Sequence, residues 1–186
     1  MGKKLSEMTL EELWQLFPII LTPHQPAWIE WYAQEAAFLA KNLPQDVKIS
    51  HIGSTAVDTI WAKPIVDILV EAPGNYTLES LCQDLIRCGY ICMSHSDTRI
   101  SLNKGYTENG FAERVFHLHL RYVGDNDELY FRDYLLANPG TAQEYNDLKL
   151  SIWKEFEHNR DGYTAAKTDF VAKYTALAKS DFGNRY

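Results

Sequence analysis

Apolar and polar positions recur along this chain with two different periods, and each change of period marks an element. Thr9 and Glu12 have the spacing of a capping box, with Met8 and Leu13 placed as a hydrophobic staple, so a short helix is expected from Leu10, limited by Pro18. After the proline punctuation of residues 23–26, Ile29, Tyr32, Ala36, Leu39 and Leu43 recur at steps of three and four. That spacing predicts an amphipathic helix closed by Pro44. Residues 47–52 and 64–71 read as strands, the second β-branched and mostly apolar, with residues 54–61 as a turn or short helix between them. Leu78, Leu81, Leu85 and Ile86 then form the apolar face of a helix that Thr77 caps and Gly89 ends. Residues 100–106 and 111–122 flank Thr107-Glu108-Asn109-Gly110, where an Asn-Gly pair between strand-like segments predicts a hairpin. From Asp127 onward the pattern is helical. It breaks at Asn138-Pro139-Gly140, restarts at a Thr141/Glu144 capping box and breaks again over residues 159–162, giving three C-terminal helices.

Strands concentrated between residues 47 and 122 with helices on both sides indicate an α+β, or mixed α/β, fold. No internal repeat or linker divides the chain. The expected organisation is a single domain over residues 1–186, with a helical extension at 1–18 and C-terminal helices at 127–179.

Composition narrows the function. With 46% hydrophobic residues the chain can bury a core, while a net charge of −7 (25 acids against 18 bases) argues against extended nucleic-acid binding, which needs a basic face. No apolar run approaches the roughly 20 residues that cross a bilayer, so no membrane partner and a cytoplasmic location are expected. Gly2 with Ser6 matches a loose myristoylation pattern that arises easily by chance. Cys82, Cys88 and Cys92 are odd in number and lack C-x-x-C spacing, which points to incidental thiols in a reducing compartment.

The candidate chemistry lies on two strands and one turn. On residues 64–71 the period-two rule puts Asp67 and Glu71 on one face, away from Val66, Ile68 and Val70; on residues 116–122 it groups His117, His119 and Arg121 opposite Phe116, Leu118 and Leu120. Two imidazoles two residues apart stand about 6–7 Å apart at Cα, near enough to converge on one ion or phosphate. A half-buried sheet face carrying its polar side chains to solvent produces the same pattern. Gly53-Ser54 follows a strand and precedes a helix start, where free N–H groups can cradle a phosphate, although on these residues alone a tight turn capped by Ser54 or Thr55 is the simpler account. Lys63 stands at the mouth of the strand bearing Asp67. His51 ends the preceding strand, and Arg99 and Lys104 lie on the first arm of the hairpin, where they could add positive charge.

The segments His51-Ile52-Gly53-Ser54-Thr55-Ala56-Val57, Lys63-Pro64-Ile65-Val66-Asp67-Ile68 and Phe116-His117-Leu118-His119-Leu120 resemble the GrpB family, whose members are similar to the nucleotidyltransferase superfamily. Phe131-Arg132-Asp133-Tyr134-Leu135, Glu144-Tyr145-Asn146-Asp147-Leu148-Lys149 and Tyr163-Thr164-Ala165-Ala166-Lys167 extend the resemblance over about residues 19–179. It implies a nucleotidyltransferase-like mixed sheet flanked by helices. A Gly-Ser turn would hold the phosphates of a nucleotide or phosphorylated small molecule, and a strand aspartate would hold divalent metal, Mg²⁺ or Mn²⁺. On that reading Asp67, His117 and His119 are the catalytic and metal-binding residues. His51, Gly53, Ser54, Thr55, Lys63, Arg99, Lys104 and Arg121 meet the substrate. The superfamily carries a second acid two residues after the first, and here that position is Leu69. Two readings follow: nucleotidyl transfer from a nucleoside triphosphate to an unknown acceptor, or a non-catalytic module that binds a nucleotide or phospho-metabolite in a degenerate site. A hydrolase with His117, His119 and Asp67 around one transition metal is a third.

Overall fold

The computed structural model describes residues 3–186, so Gly2 and its myristoylation pattern lie outside the described residues. Among those residues are six helices, α1 (Leu10–Leu16), α2 (Ala27–Asn42), α3 (Leu78–Arg87), α4 (Asp127–Ala137), α5 (Pro139–Ile152) and α6 (Arg160–Phe182). One five-stranded sheet joins β1 (Lys48–Ile52), β2 (Val66–Ala72), β3 (Ile91–His95), β4 (Arg99–Thr107) and β5 (Gly110–Tyr122) in the order β1-β2-β5-β4-β3. The central β2–β5 pair is parallel and the other pairs are antiparallel, so the α+β expectation with a mixed sheet holds. No described helix is long and apolar enough to cross a membrane.

The pleat sorts the two faces as the sequence pattern requires. Val66, Ile68 and Val70 of β2, Leu118 and Leu120 of β5 and Ile100 and Leu102 of β4 point to α2 and α3, where Trp28, Leu39, Leu81 and Leu85 complete the main core. Each such leucine contributes about 2 kcal/mol by leaving water. The second face carries Asp67 beside His117 and Leu69 beside His119 in parallel register. Leu69 packs there with Ile52 and with Leu129 of α4. Val57 and Ile60 meet Leu135, Ala142 and Tyr145, which ties the C-terminal helices to the chain that follows β1. A cavity is left between this second face and the helices.

Helix starts follow their caps. The Thr9 hydroxyl accepts from Glu12 N (3.2 Å) and the Glu12 carboxylate accepts from Thr9 N (2.6 Å), so α1 begins as predicted. Helix α5 does not start at Thr141. It begins with Pro139 in its first turn, where the missing N–H is no loss and the fixed φ is already helical. Strand β3 escaped prediction because it is an edge strand whose residues are all exposed, so no alternation marks it.

Helix α2 is rotated from its expected stripe. Ile29 is 54% exposed, whereas Trp28 and Leu39 are buried together with Glu35. Glu35 is tolerated because its carboxylate accepts from Tyr90 Oη (2.9 Å) and Lys104 Nζ (2.8 Å). Glu35→Ala strands both partners, and we expect equilibrium urea unfolding to give a loss of about 2–3 kcal/mol with little change in ligand binding.

Candidate functional site

The centre of the second face is Asp67. One of its carboxylate oxygens, Oδ1, receives both imidazoles, with His119 Nε2 at 3.4 Å and His117 Nδ1 at 3.5 Å. Burial works against ionisation, but the hydrogen bonds and charge interactions from the two histidines outweigh it and hold this carboxyl well below the usual carboxylate range. The orientation of His117 is set from behind. Arg160 Nη2 donates to the Tyr106 hydroxyl (2.6 Å), which lies 2.7 Å from His117 Nε2. Arginine offers donors only, so the phenol proton goes to Nε2 and the imidazole proton sits on Nδ1, facing Asp67. Burial pushes His117 down to about 4, so it is neutral at pH 7.

The turn after β1 closes on the other oxygen of Asp67. Gly53 has φ 72° and ψ −174°, a region essentially reserved for glycine, and a Cβ at this position would sit 2.5 Å from Asp67 Oδ2. Residues Ser54–Ala56 then form a single 3₁₀ turn. Thr55 is buried and its hydroxyl lies 3.0 Å from His51 Nε2. His51 stacks on Tyr32 of α2 at 4.5 Å, and burial pushes its imidazole down to about 4. His51 therefore braces the turn from the core side and does not line the cavity; its register partner, Ile68, faces α2.

The cavity has a volume of about 760 Å³, with Gly53, Ser54, Thr55, Lys63, Asp67 and His119 on its sheet side. Its helix side holds what the sequence reading missed. Lys149 of α5, 2% exposed, donates to Ser54 Oγ (3.2 Å) and to the Trp61 carbonyl, and lies 4.9 Å from the centre of the Tyr145 ring. Lys167 of α6 lies 4.1 Å from the Tyr163 ring, and Lys63 approaches the same ring at 5.8 Å. Lysine ion pairs among the described residues involve Lys3, Lys104 and Lys179 alone, so these three cavity ammonium groups lack a carboxylate partner. Burial, with Arg160 and Lys167 nearby, pushes Lys63 down to about 7. Burial, then Lys167 and Lys63, does the same to Lys149, and burial takes Lys167 to about 8. A signal was present: Tyr145/Lys149 and Tyr163/Lys167 repeat one Tyr-x-x-x-Lys spacing, which puts each lysine one turn from its ring.

Three expected substrate contacts lie elsewhere. Lys104 pairs in register with Phe116 and so faces the main core, where it meets Glu35 and approaches the rings of Phe38 and Tyr90. Arg99 is held by Asp125 through two bonds of 2.6 and 2.7 Å at the end of the sheet. Arg121 shares the face of His117, but four residues on, about 13 Å along the strand. It is buried against Asp125 and Glu128, each at 3.8 Å. Arg132 lines the cavity instead, and its Nη1 donates to the His51 carbonyl (2.7 Å).

The expected metal ligands come together without forming a metal site. No group of three or more His, Cys, Asp or Glu side chains among the described residues is arranged to hold an ion. Both imidazoles point at the same carboxylate oxygen, and the remaining nitrogen of His117 is taken by Tyr106. Leu69, fully buried, stands where a second acid would share the load. Glu71 accepts from Asn126 Nδ2 (2.9 Å) and Gly124 N (3.3 Å), bracing the loop before α4. The residues present do not fit a divalent clamp.

Comparison with known proteins agrees with this architecture. A curated relative, the glutamate-rich protein GrpB of Alkalihalophilus pseudofirmus, is 31% identical over 160 residues, 82% of this chain and 91% of that protein. The crystal structure of the conserved protein GrpB from Enterococcus faecalis superposes with a TM-score of 0.74 at 30% identity, covering 88% of this chain and 99% of that one. The structure of the GLD-2/RNP-8 complex shares the nucleotidyltransferase-like fold at 11% identity, with a TM-score of 0.50 over 87% of this chain and 67% of that chain. The family model described as GrpB protein matches residues 18–177. The chain belongs to the GrpB family.

Proposed function

We propose that the protein binds the phosphate groups of a nucleotide or other phosphorylated small molecule in the cavity between the sheet and helices α4–α6. The observation that carries this reading is the trio of Lys63, Lys149 and Lys167, which line one cavity without carboxylate partners in a chain of net charge −7. Holding unpaired ammonium groups in a half-buried site is unfavourable in the free protein, and an anionic ligand removes that penalty. Ser54 adds a hydroxyl at the same wall. A cavity of about 760 Å³ exceeds what a phosphate group needs, and Ile65, Phe131, Val171 and Ala172 on its walls suit the less polar body of a nucleotide-sized molecule.

A thermal-shift series with orthophosphate, pyrophosphate and nucleoside mono-, di- and triphosphates tests this. A ligand at 100 times its Kd should add about 2.7 kcal/mol to the stability of the folded protein and raise Tm accordingly. Lys167→Gln should reduce that rise sharply while leaving the unliganded fold intact, because it removes one of three like charges. Unchanged Tm with every phosphate would refute the reading. Nucleotidyl transfer is the second reading, favoured by the ionised state of Asp67 against the Gly53 turn. It gains ground if a nucleoside triphosphate incubated with hydroxyl-bearing acceptors releases pyrophosphate as the nucleotidyl group joins an acceptor oxygen, and Asp67→Asn stops the release.

A further inference from the structure

The nucleotidyltransferase-like fold leads one to expect a phosphate ligand escorted by divalent metal, and the side chains around Asp67 argue the opposite. Building on the phosphate-binding reading, we infer that this cavity takes its phosphoanion without a divalent cation, the ammonium groups of Lys63, Lys149 and Lys167 supplying the charge that metal supplies elsewhere.

The acids needed for a cation are absent or already engaged. Leu69 packs against Ile52 and Leu129 where the second carboxylate would stand, and Glu71 is spent on Gly124 and Asn126. Asp67 stands on the sheet side of the cavity; on the helix side Asp127 is paired with Lys179 and Glu128 lies 3.8 Å from Arg121. The Oδ1 of Asp67 is shared by His117 and His119, and its Oδ2 is pressed against Gly53 so closely that a Cβ there would lie at 2.5 Å. An ion at Asp67 would compete with both imidazoles for Oδ1 and find no second acid beside it on the strand.

The charges around the cavity point the same way. Lys63, Lys149 and Lys167, together with Arg132 and Lys179, outnumber Asp67, Asp127 and Glu128 around the cavity, so a divalent cation entering this space meets net repulsion, whereas a polyphosphate meets attraction strengthened by partial burial. Lys149 is positioned beforehand by Ser54 Oγ and the Trp61 carbonyl, so little ordering is left to pay for on binding. A magnesium-chelated polyphosphate has lost two of the charges these lysines recognise.

Titration calorimetry of the full chain with inorganic pyrophosphate, once in EDTA and once in excess Mg²⁺, decides the matter. We expect binding in EDTA, weakened roughly tenfold or more when Mg²⁺ competes for the ligand, and a further loss of roughly tenfold in EDTA for Lys63→Gln and Lys167→Gln. Circular dichroism of the two variants should match the parent and their Tm should be no lower, which separates lost charge from lost fold. Binding that appears only with Mg²⁺ would overturn the inference and leave the phosphate-binding reading standing. No binding in either buffer would overturn both. Pyrophosphate binding equal in the parent and in both variants would show that these lysines do not take the place of the metal.

Discussion

Gly53→Ala is expected to lower Tm by roughly 10 °C, at about 2–4 °C per kcal/mol for a chain of this size, and to abolish pyrophosphate binding in the protein that remains folded. Two separate penalties combine. A residue with a Cβ at φ 72° and ψ −174° is strained by about 1–3 kcal/mol before any contact is considered. The new methyl would then lie 2.5 Å from Asp67 Oδ2 and 3.0 Å from its Cβ and Cγ. A flexible neighbour would swing aside, but Asp67 is tethered through Oδ1 by His117 and His119, so the turn must move instead. Moving the turn displaces Ser54, which Lys149 contacts, and Thr55, which His51 holds. Ser54→Ala provides the comparison: it removes one hydroxyl without moving the backbone and should weaken binding while leaving Tm nearly unchanged. A Gly53→Ala protein with parental Tm and affinity would show that the turn and Asp67 are not coupled.

Why one half of this cavity was legible in the sequence and the other half was not has a physical explanation. The sheet side follows from two-residue periodicity, a purely local rule, so the sequence pattern alone puts Asp67, His117 and His119 on the polar faces of their strands, and the register joins those faces. Gly53 and Ser54 were legible for the same reason, since a small residue between a strand and a helical turn has few conformational uses. Lys149, Lys167, Arg132 and Arg160 come from helices more than 60 residues away in sequence from the Gly53 turn, and a lysine on a helix carries no local mark of which neighbour it will face. Only the repeated Tyr-x-x-x-Lys spacing distinguished two of them. Lys104 and His51 went wrong through one residue of parity, because a strand position shifted by one faces the opposite layer. Glu35 explains the rotation of α2: a buried carboxylate breaks the apolar stripe, and only its partners Tyr90 and Lys104, brought near by tertiary structure, make it acceptable.

The lysine trio also predicts a pH dependence with opposite signs for stability and for binding. Lys63 and Lys149 sit near 7 and Lys167 near 8 in the folded protein, below their ordinary value of 10.5. Below about pH 7 both folded and unfolded chains carry the protons, and the folded state bears the full penalty of crowded, unpaired ammonium groups. Between about 7 and 10.5 the unfolded chain holds more protons than the folded one, so these groups make the unliganded protein more stable as pH rises. Around the same cavity are Asp67, Asp127, Glu128, Arg132, Lys179 and His119, with Arg160 and His117 behind Asp67, and the phenols of Tyr145 and Tyr163, which burial pushes above their ordinary range. Phosphate binding runs the other way, because a phosphomonoester has its second pKa near 6 and gains little charge above pH 7, while the lysines lose theirs. Affinity for a nucleoside monophosphate should therefore fall by about tenfold or more between pH 7 and 9, against a rising Tm of the free protein over the same interval. Lys167→Gln should flatten both slopes. Affinity constant from pH 7 to 9 would mean that the lysines keep their protons throughout that interval, and the crowding and burial that lower them would be overturned.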